Sequence, residues 1–359
     1  MTNAKPLRIG IVGCGNIAGP YARDIAAKPE LQLVALTDLD PSRAEALAAE
    51  HGGRAVPTIE DVIAESDLVV NLTFQGTHYE VTKRCLEAGR HVHSEKPLAL
   101  TSAEAHELVD LANAKGVRLG GSPFTLMGEG QQTAWKALRE GAVGTLRAVH
   151  AEVDWGWIES WHPAPVPFYD VGPLFDVGVY PLSILTAMFG PARRVYSYGR
   201  VLKPDRMTKS GDRFEATAPD WQVTVLELES GPVIRLTTSF YVGQQAKNHA
   251  AVEFHGDRGS LWLGHWFRFD APVEVAELGD GKQYVAVPHV RPPGGAIDWG
   301  RAVADMADAI STDRPHRATG EQAAHIVDIL VAAMTSVREG RPVDVRSSFP
   351  APSPMPWAE

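Results

Sequence analysis

The first third of the chain alternates between short apolar runs and segments with helical periodicity. The apolar runs, typical of buried strands, lie at 7–12, 31–37, 68–72, 91–94 and 117–120. Helical patterns lie at 17–27, after the Asp40-Pro41 pair, at 77–88 and at 102–115. Aspartate is a favoured N-cap and proline a favoured first helical residue. Strands alternating with helices predict an α/β fold with a doubly wound parallel sheet.

The pattern changes at about residue 145. Strand-like runs follow one another without intervening helices, at 147–155, 193–201, 222–228, 233–240 and 250–255. Such a succession predicts a large, mostly antiparallel sheet, which can pack helices on one face and leave the other open. Two helical patterns come late, near 299–311 and 322–338. The length suits two domains, which we place at 1–123 and 124–359.

A glycine turn joins the first predicted strand to the first predicted helix. Its sequence is Gly13-Cys14-Gly15-Asn16-Ile17. Glycines let a backbone approach a pyrophosphate, and the helix N-terminus offers free N–H groups to its charge. Asp38 ends the next strand, near the position expected for a ribose-binding carboxylate. These features predict a dinucleotide site; the alternative is an ordinary strand–helix turn with an N-capping aspartate.

Composition and net charge limit the kinds of molecule that the protein is expected to bind. The chain has 359 residues, 44% of them hydrophobic, and a formal net charge of −10. This charge argues against nucleic-acid and anionic-membrane partners, which need a basic field. We also expect no membrane span and no signal peptide. Cys14 and Cys85 form no disulfide framework, and no Cys/His cluster has metal-ligand spacing, so we expect a cytoplasmic protein without a metal site.

A lysine follows the predicted strand at 91–94. Glu95-Lys96-Pro97 leaves that strand at its carboxyl end, the edge at which doubly wound sheets bind ligands. Burial and a neighbouring positive ring would lower the pKa of such a lysine and let it exchange a proton near neutral pH. The alternative is a solvated surface lysine.

A carboxylate and a phenol stand four positions apart in the second domain. Asp176 and Tyr180 would share one face of a helix, where the carboxylate can orient the phenol or hold a substrate hydroxyl. The alternative is a buried pair with a purely structural role.

Together, and in this order, the three motifs resemble the glucose–fructose oxidoreductase/inositol dehydrogenase/rhizopine-catabolism (Gfo/Idh/MocA) family, from residue 7 to about 340. The resemblance implies an N-terminal Rossmann domain and a C-terminal α/β domain built on a large open sheet. That sheet often forms the subunit interface in the family, which implies a homodimer or homotetramer.

The resemblance also implies roles for residues of the first domain. Gly13, Gly15, Asn16 and Ile17 would form the cofactor turn. Asp38 would bind the adenosine ribose and favour NAD over NADP, although Arg43 could accept a 2′-phosphate. The remaining cofactor-binding positions implied by the family's motifs are Thr73, His78, Glu95 and Lys96. Phe74-Gln75 replaces the usual Pro-Asn after Thr73, so this loop departs from the pattern.

Lys96, Asp176 and Tyr180 would be the catalytic residues. Asp176 and Tyr180 match the family's Asp-x-Gly-x-His motif, with tyrosine at the usual histidine position, as in the glucose–fructose oxidoreductase and dihydrodiol dehydrogenase branches. An unperturbed phenol has a pKa near 10, so it needs a neighbouring cation to act as a base. We therefore expect Lys96 and Tyr180 to share the proton while Asp176 holds the substrate.

Aromatic residues early in the second domain complete the predicted pocket. Such rings can stack on the apolar faces of sugars, although tryptophan also suits core or interface packing. The candidates for substrate binding are Phe124, Trp157, Trp161 and His162, with Asp176 and Tyr180.

The combined prediction is an NAD(H)-dependent oxidoreductase that interconverts a secondary alcohol and a ketone on a sugar, polyol or related cyclic compound. One alternative is an NAD-dependent enzyme that cleaves glycosides through transient oxidation. The other is a non-catalytic protein that senses sugar or NAD on the same fold.

Overall fold

The chain divides into two compact units. The computed structural model describes residues 5–229 and 231–359. The first unit runs to Phe124 and also contains Asp298–Val327, and the second contains Thr125–Ile297 and Asp328–Glu359. The expected boundary at 123/124 is close to the first division. The sequence pattern, however, placed 298–327 in the second domain.

The first unit is a doubly wound α/β structure. Its strands are β1 (Leu7–Val12), β2 (Leu31–Thr37), β3 (Arg54–Ala55), β4 (Leu68–Asn71), β5 (His91–Ser94) and β6 (Leu119–Gly121). Its first helices are α1 (Ala18–Ala26), α2 (Pro41–His51), α3 (Ile59–Glu65), α4 (His78–Glu87) and α5 (Ser102–Lys115). The sheet order β3-β2-β1-β4-β5-β6 is parallel throughout, which is the order of dinucleotide-binding folds.

Local sequence explains where these helices begin. The Asp40 side chain accepts from the Ser42 amide and Pro41 opens α2, as predicted. Thr58 and Asp61 form a reciprocal capping box at the start of α3. Such caps satisfy backbone N–H groups that have no partner within the helix.

The second unit is built on a nine-stranded sheet. Its helices are α6 (Glu129–Arg139), α7 (Val166–Pro173) and α8 (Val179–Phe189), and a π-helical turn, Leu174–Gly178, joins the last two. The strands of this unit are β7 (Leu146–Asp154), β8 (Ala192–Arg200), β9 (Asp205–Met207), β10 (Arg213–Glu215), β11 (Trp221–Leu228), β12 (Val233–Ser239), β13 (Val252–Gly256), β14 (Gly259–Leu263), β15 (Val273–Glu277), β16 (Val285–Val287) and β17 (Val343–Asp344). Of these, β9 and β10 pair with each other in a separate two-stranded sheet.

The large sheet confirms the predicted mixed, mostly antiparallel type. Its order is β16-β15-β14-β13-β7-β12-β11-β8-β17, and within the described strands of this sheet β7 and β12 are the parallel pair. On β7, Val149, Ala151 and Val153 are buried in the core, while His150 and Glu152 point to the other face and are half-buried. The sheet therefore has a packed face and an open face.

One helical run, Val166–Phe189, is long and apolar enough by composition to cross a membrane. Of its most apolar window, 83% is buried inside the protein. A helix in a protein core passes the same test of length and composition, so the run is explained by packing.

A late segment completes the first unit. It contains α9 (Arg301–Thr312) and the beginning of α10 (Gly320–Glu339), which continues into the second unit. Asp298 pairs with Lys28 at 2.8 Å, and the Trp299 amide donates to Asp24 at 2.8 Å. The His316 ring bonds the Leu119 carbonyl at 3.1 Å.

Candidate functional site

The glycine turn after β1 has the geometry that a close backbone approach requires. Gly13 has a φ of +94°, and an added Cβ would lie 2.7 Å from the Leu72 carbonyl oxygen. A Cβ on Gly15 would meet nothing within 4 Å. Packing therefore requires glycine at Gly13, whereas Gly15 borders open space. No side chain caps α1 at Ile17, and the Ala18 amide donates to the Gly15 carbonyl at 3.1 Å. A helix N-terminus without a side-chain cap can accommodate an anion.

Asp38 is held at the end of β2 by two backbone amides. One carboxylate oxygen accepts from the Cys14 amide at 2.6 Å and the other from the Asp40 amide at 2.9 Å. Its position beside the turn is the one expected of a ribose-binding carboxylate. Arg43 lies on the first turn of α2 and pairs with Asp40 at 3.4 Å, and both side chains are exposed.

The loop after β4 is organised by Asn71 and His78. The side-chain oxygen of Asn71 accepts from the Thr73 amide and hydroxyl, and the side-chain NH₂ of Asn71 donates to the His78 carbonyl. The buried His78 ring lies between two carbonyl oxygens, 2.7 Å from that of Pro97 and 2.9 Å from that of Thr73. Burial lowers the pKa of His78. These bonds make His78 a brace between the Thr73 loop and the Lys96 segment.

Glu95 and Lys96 lie just beyond β5. Glu95 is buried and accepts from the Tyr21 hydroxyl at 2.8 Å and from the Lys96 amide at 3.1 Å. Lys96 is half-buried, and its peptide bond to Pro97 is cis. Because β1, β4 and β5 are neighbours in a parallel sheet, the glycine turn, the Thr73 loop and Lys96 share one sheet edge.

Asp176 and Tyr180 lie in a helical segment, as predicted. Asp176 is within the π-helical turn, and Tyr180 is in the first turn of α8. Four positions are close to one full turn in either helical geometry, so both residues stay on one side. Asp176 is buried and Tyr180 half-buried. The Tyr180 ring stacks on Trp266, with centroids 5.2 Å apart, and meets Phe267 edge-on. Lys96 belongs to the first unit, so a site shared by all three residues stays a prediction.

Two histidines near this aromatic cluster extend it. His265 contacts Trp266 at a centroid distance of 5.3 Å and His249 at 5.9 Å. Burial, followed by the charges of His249 and Arg268, lowers the pKa of His265 to about 4. Neither His265 nor Trp266 was singled out from the sequence. Their signal was the His265-Trp266-Phe267 run directly after the apolar residues of β14.

The predicted substrate aromatics occupy two kinds of environment. Trp157 and Trp161 are exposed by 43% and 48%, and His162 packs edge-on against Trp161. Phe124 instead lies in the core of the first unit, against Tyr21. Their roles in substrate binding stay predictions.

A buried ion cluster supports the Trp157 segment. The Arg206 guanidinium is fully buried and bonds Glu159 at 2.9 Å and Asp220 at 2.6 Å. It also donates to the Tyr169 hydroxyl at 2.7 Å, and that hydroxyl donates to Glu159. Burial and the Glu159 carboxylate raise the pKa of Tyr169. Tyr169 therefore serves the packing of this segment.

Two family models match the chain. The model described as "Oxidoreductase family, NAD-binding Rossmann fold" matches residues 7–121. The model described as "GFO/IDH/MocA C-terminal domain" matches residues 131–262. The two matches together cover more than half of the chain.

Two curated relatives and one solved structure show what the chain is similar to. It is 27% identical over 279 residues to D-glucoside 3-dehydrogenase of Escherichia coli (strain K12), which covers 72% of this chain and 78% of the relative. It is 27% identical over 289 residues to trans-1,2-dihydrobenzene-1,2-diol dehydrogenase of Bos taurus, covering 79% and 81%. Levoglucosan dehydrogenase in complex with NADH and L-sorbose matches with a TM-score of 0.82 at 19% identity, covering 95% of this chain and 99% of that one. At that identity the structural likeness shows the fold.

Proposed function

Because the chain belongs to the Gfo/Idh/MocA oxidoreductase family, we propose that it oxidises or reduces one secondary alcohol carbon of a sugar, polyol or related cyclic compound. The chain is an NAD-binding oxidoreductase of this family, as predicted. The substrate class is supported by the names of the relatives, which are dehydrogenases of a glucoside and of a cyclic diol.

The residues of the first unit fit a bound dinucleotide. The glycine turn borders open space at Gly15, and Asp38 is fixed next to the turn. Gly13, Gly15, Asn16 and Ile17 would hold the pyrophosphate, and Asp38 the ribose. When bound, NAD supplies the hydride acceptor or donor at its nicotinamide ring.

One observation carries the catalytic proposal: Lys96 leaves β5 at the same sheet edge as the glycine turn. A half-buried lysine there can give a proton to, or take one from, a substrate oxygen. Tyr180 would share that proton and Asp176 would bind a substrate hydroxyl. Trp157 and Trp161 would offer apolar ring faces to the sugar.

Replacement of Lys96 tests this proposal. Lys96→Ala should reduce turnover by roughly 100-fold or more while the Kd for NADH changes little. Lys115→Ala is the matched control, because Lys115 bonds the Glu87 carbonyl at an exposed position of the same unit. A panel of sugars, glycosides and polyols is assayed with NAD for NADH, ketone and cleaved glycoside. Unchanged turnover in Lys96→Ala would contradict the proposal.

A second replacement separates packing from chemistry at Tyr180. Tyr180→Phe keeps the ring that stacks on Trp266 and removes only the hydroxyl. We expect turnover to fall roughly 100-fold while the variant stays folded, as its melting curve should show. Glycoside cleavage without net NADH would favour the transient-oxidation alternative, and ligand-induced stabilisation without turnover would favour a sensor.

We also propose a homodimer or homotetramer that associates through the open face of the nine-stranded sheet. Tyr196 and Tyr198 on β8 are exposed by 45% and 51%, and aromatic residues are enriched in protein interfaces. Light scattering should give a mass of two or four chains, and Tyr198→Asp should lower it. A monomeric wild-type protein would contradict this. The expected cytoplasmic location stays a prediction, compatible with the free, buried Cys14 and Cys85.

A further inference from the structure

Two histidines and a glutamate meet on the open face of the nine-stranded sheet. Glu253 on β13 is paired in register with His150 on the neighbouring β7, and His255 follows two positions later on the same face. One ligand atom from each lies within 4.8 Å of the other two. The rings of His150 and His255 are 4.7 Å apart between centroids. This group is not evident from the sequence, because His150 is far from Glu253 and His255 along the chain.

The His255 ring is oriented as a ligand would be. Its Nδ1 lies 2.8 Å from the Ser260 hydroxyl, while its Nε2 is buried and has no hydrogen-bond partner. When Nδ1–H donates to Ser260, the Nε2 lone pair is left free. That nitrogen lies 3.6 Å from a Glu253 carboxylate oxygen. A buried acceptor without a partner costs stability, so its retention calls for an explanation.

The Glu253 carboxylate and the His150 imidazole are also positioned to act as ligands. Asn248 donates to the second carboxylate oxygen of Glu253 at 3.3 Å, which leaves the first oxygen for another partner. His150 is in register with Glu253 across the β7–β13 pair, and its ring lies 4.7 Å from that of His255 between centroids, so a ring nitrogen of His150 is within reach of the same ion.

We propose that His150, Glu253 and His255 bind a divalent transition-metal ion of the zinc class. Two imidazoles and one carboxylate suit Zn²⁺, whereas Mg²⁺ and Ca²⁺ prefer all-oxygen sets. Zinc bonds of about 2.0–2.1 Å in a tetrahedron place ligand atoms about 3.4 Å apart. The distance of 3.6 Å between His255 Nε2 and a Glu253 carboxylate oxygen is close to this value. Small side-chain rotations would bring a His150 ring nitrogen to a similar distance from both.

The residues that contact the ligand candidates, and the position of the cluster on the sheet, define the role of the ion. Ser260 and Asn248 would orient the ligands, as partners of metal-bound histidine and carboxylate commonly do. His150 pairs in register with Arg235 on β12, whereas Thr238, which neighbours Gly178 of the π turn, lies on the opposite face. The metal site is therefore separated by the sheet from the Asp176–Tyr180 segment. The ion would cross-link β7 and β13, so its role is structural.

Zinc titration of the full-length protein tests the site. The protein is freed of any histidine tag, stripped with a chelator and titrated with Zn²⁺ by calorimetry. The wild type should bind one Zn²⁺ per chain and melt at a higher temperature with Zn²⁺ than without it. Co²⁺ should give the visible absorption of a tetrahedral site.

Variants decide where the ion binds. His255→Ala and Glu253→Gln should abolish the calorimetric signal, and Ser260→Ala should weaken affinity roughly tenfold or more. His51→Ala is the matched control: His51 also lies 3.6 Å from a glutamate, Glu50, but belongs to none of the metal-ligand groups among the described residues. Its binding should equal that of the wild type.

Two results would overturn the proposal. They are a wild type without saturable Zn²⁺ binding, and binding that survives in both His255→Ala and Glu253→Gln. Either result would leave His255 and Glu253 as a hydrogen-bonded or ionic pair. Calorimetry and melting report Zn²⁺ binding directly, so these measurements do not depend on turnover and are independent of the proposed catalytic role of Lys96. All proteins are compared at one concentration, since the open face is also the proposed contact between copies.

Discussion

The carboxylate of Asp38 accepts a hydrogen bond from the backbone amide of Cys14 at 2.6 Å. This bond ties the end of β2 to the middle of the glycine turn. The turn and the acidic residue are thus a single unit of structure, although they are far apart in sequence. A change at Asp38 should therefore affect both nucleotide affinity and nucleotide choice.

Asp38→Ala should raise the Kd for NADH roughly tenfold or more, because a charge-assisted hydrogen bond contributes about 1.5–3 kcal/mol. The affinity for NADPH should fall less, since the repulsion of a 2′-phosphate is also removed. Fluorescence titration with both nucleotides measures the two constants. Thr58→Ala is the control, because Thr58 caps α3 and its loss should cost about 1 kcal/mol of stability without changing nucleotide preference. An unchanged NADH to NADPH ratio in Asp38→Ala would contradict the assignment.

A pair of glycine replacements separates folding from binding. Gly13→Ala places a Cβ 2.7 Å from a backbone oxygen at a φ of +94°. Backbone strain alone should cost about 1–3 kcal/mol, and the steric clash adds to it. Gly15→Ala meets no atom within 4 Å and should leave stability almost unchanged. If the turn holds the pyrophosphate, Gly15→Ala still weakens NADH binding; equal affinity in Gly15→Ala and wild type would argue against that contact.

Removal of Arg206 should strongly destabilise the protein. Its buried guanidinium lies between Glu159 and Asp220, so Arg206→Ala leaves two buried carboxylates without their cation. Breaking such a cluster costs about 3–5 kcal/mol. Guanidinium chloride unfolding measures the loss. Arg147→Ala is the control, because its pair with Asp257 is exposed; equal losses in the two variants would contradict the argument.

Asp154 should make stability fall as pH rises. Burial, with a contribution from Glu152, raises the pKa of Asp154 to about 6. Because the unfolded chain has a pKa of about 3.9 at this group, the native state binds more protons between about pH 4 and 6. The contribution to stability is therefore present at low pH and lost through this window.

Asp154→Asn tests this sign. After allowance for solvent screening of a half-buried group, we expect a gain of about 1 kcal/mol at neutral pH and none at about pH 4. Asp257→Asn should behave in the opposite way, because the Arg147 guanidinium lowers the pKa of Asp257. Denaturant unfolding at the two pH values measures both. A gain that does not change with pH would contradict the titration.

The sequence was most informative where local chemistry determines structure. The bounds of β1, β2, β5 and α5 agree with their predictions, since short apolar runs and capping residues define them. Helix α6 was not predicted, because residues on its buried surface are polar. Gln131 is fully buried there and donates to the carbonyl oxygens of His265, Trp266 and Arg268. Hydrophobic periodicity cannot detect a surface of this kind.

The candidate site residues were likewise predictable where their motif is contiguous in the chain, and not where strand pairing or packing brings them together. The glycine turn and Lys96 were recognised because the turn and the Lys96 tripeptide carry their signals in contiguous residues. The pairing of His150 with Glu253 depends on the register of β7 and β13. The stacking of Tyr180 on Trp266 likewise joins residues far apart in the chain. Spacing along the chain does not reveal either contact.

The return of Asp298–Val327 to the first unit has a consequence for biosynthesis. As the polypeptide leaves the ribosome, the half that carries the glycine turn cannot finish assembling until residue 327 has emerged. A recombinant fragment that ends at Phe124 would lack the His316 partner of Leu119 and the Asp298 partner of Lys28. Completion of the nucleotide-binding unit therefore requires translation of about two hundred residues beyond Phe124.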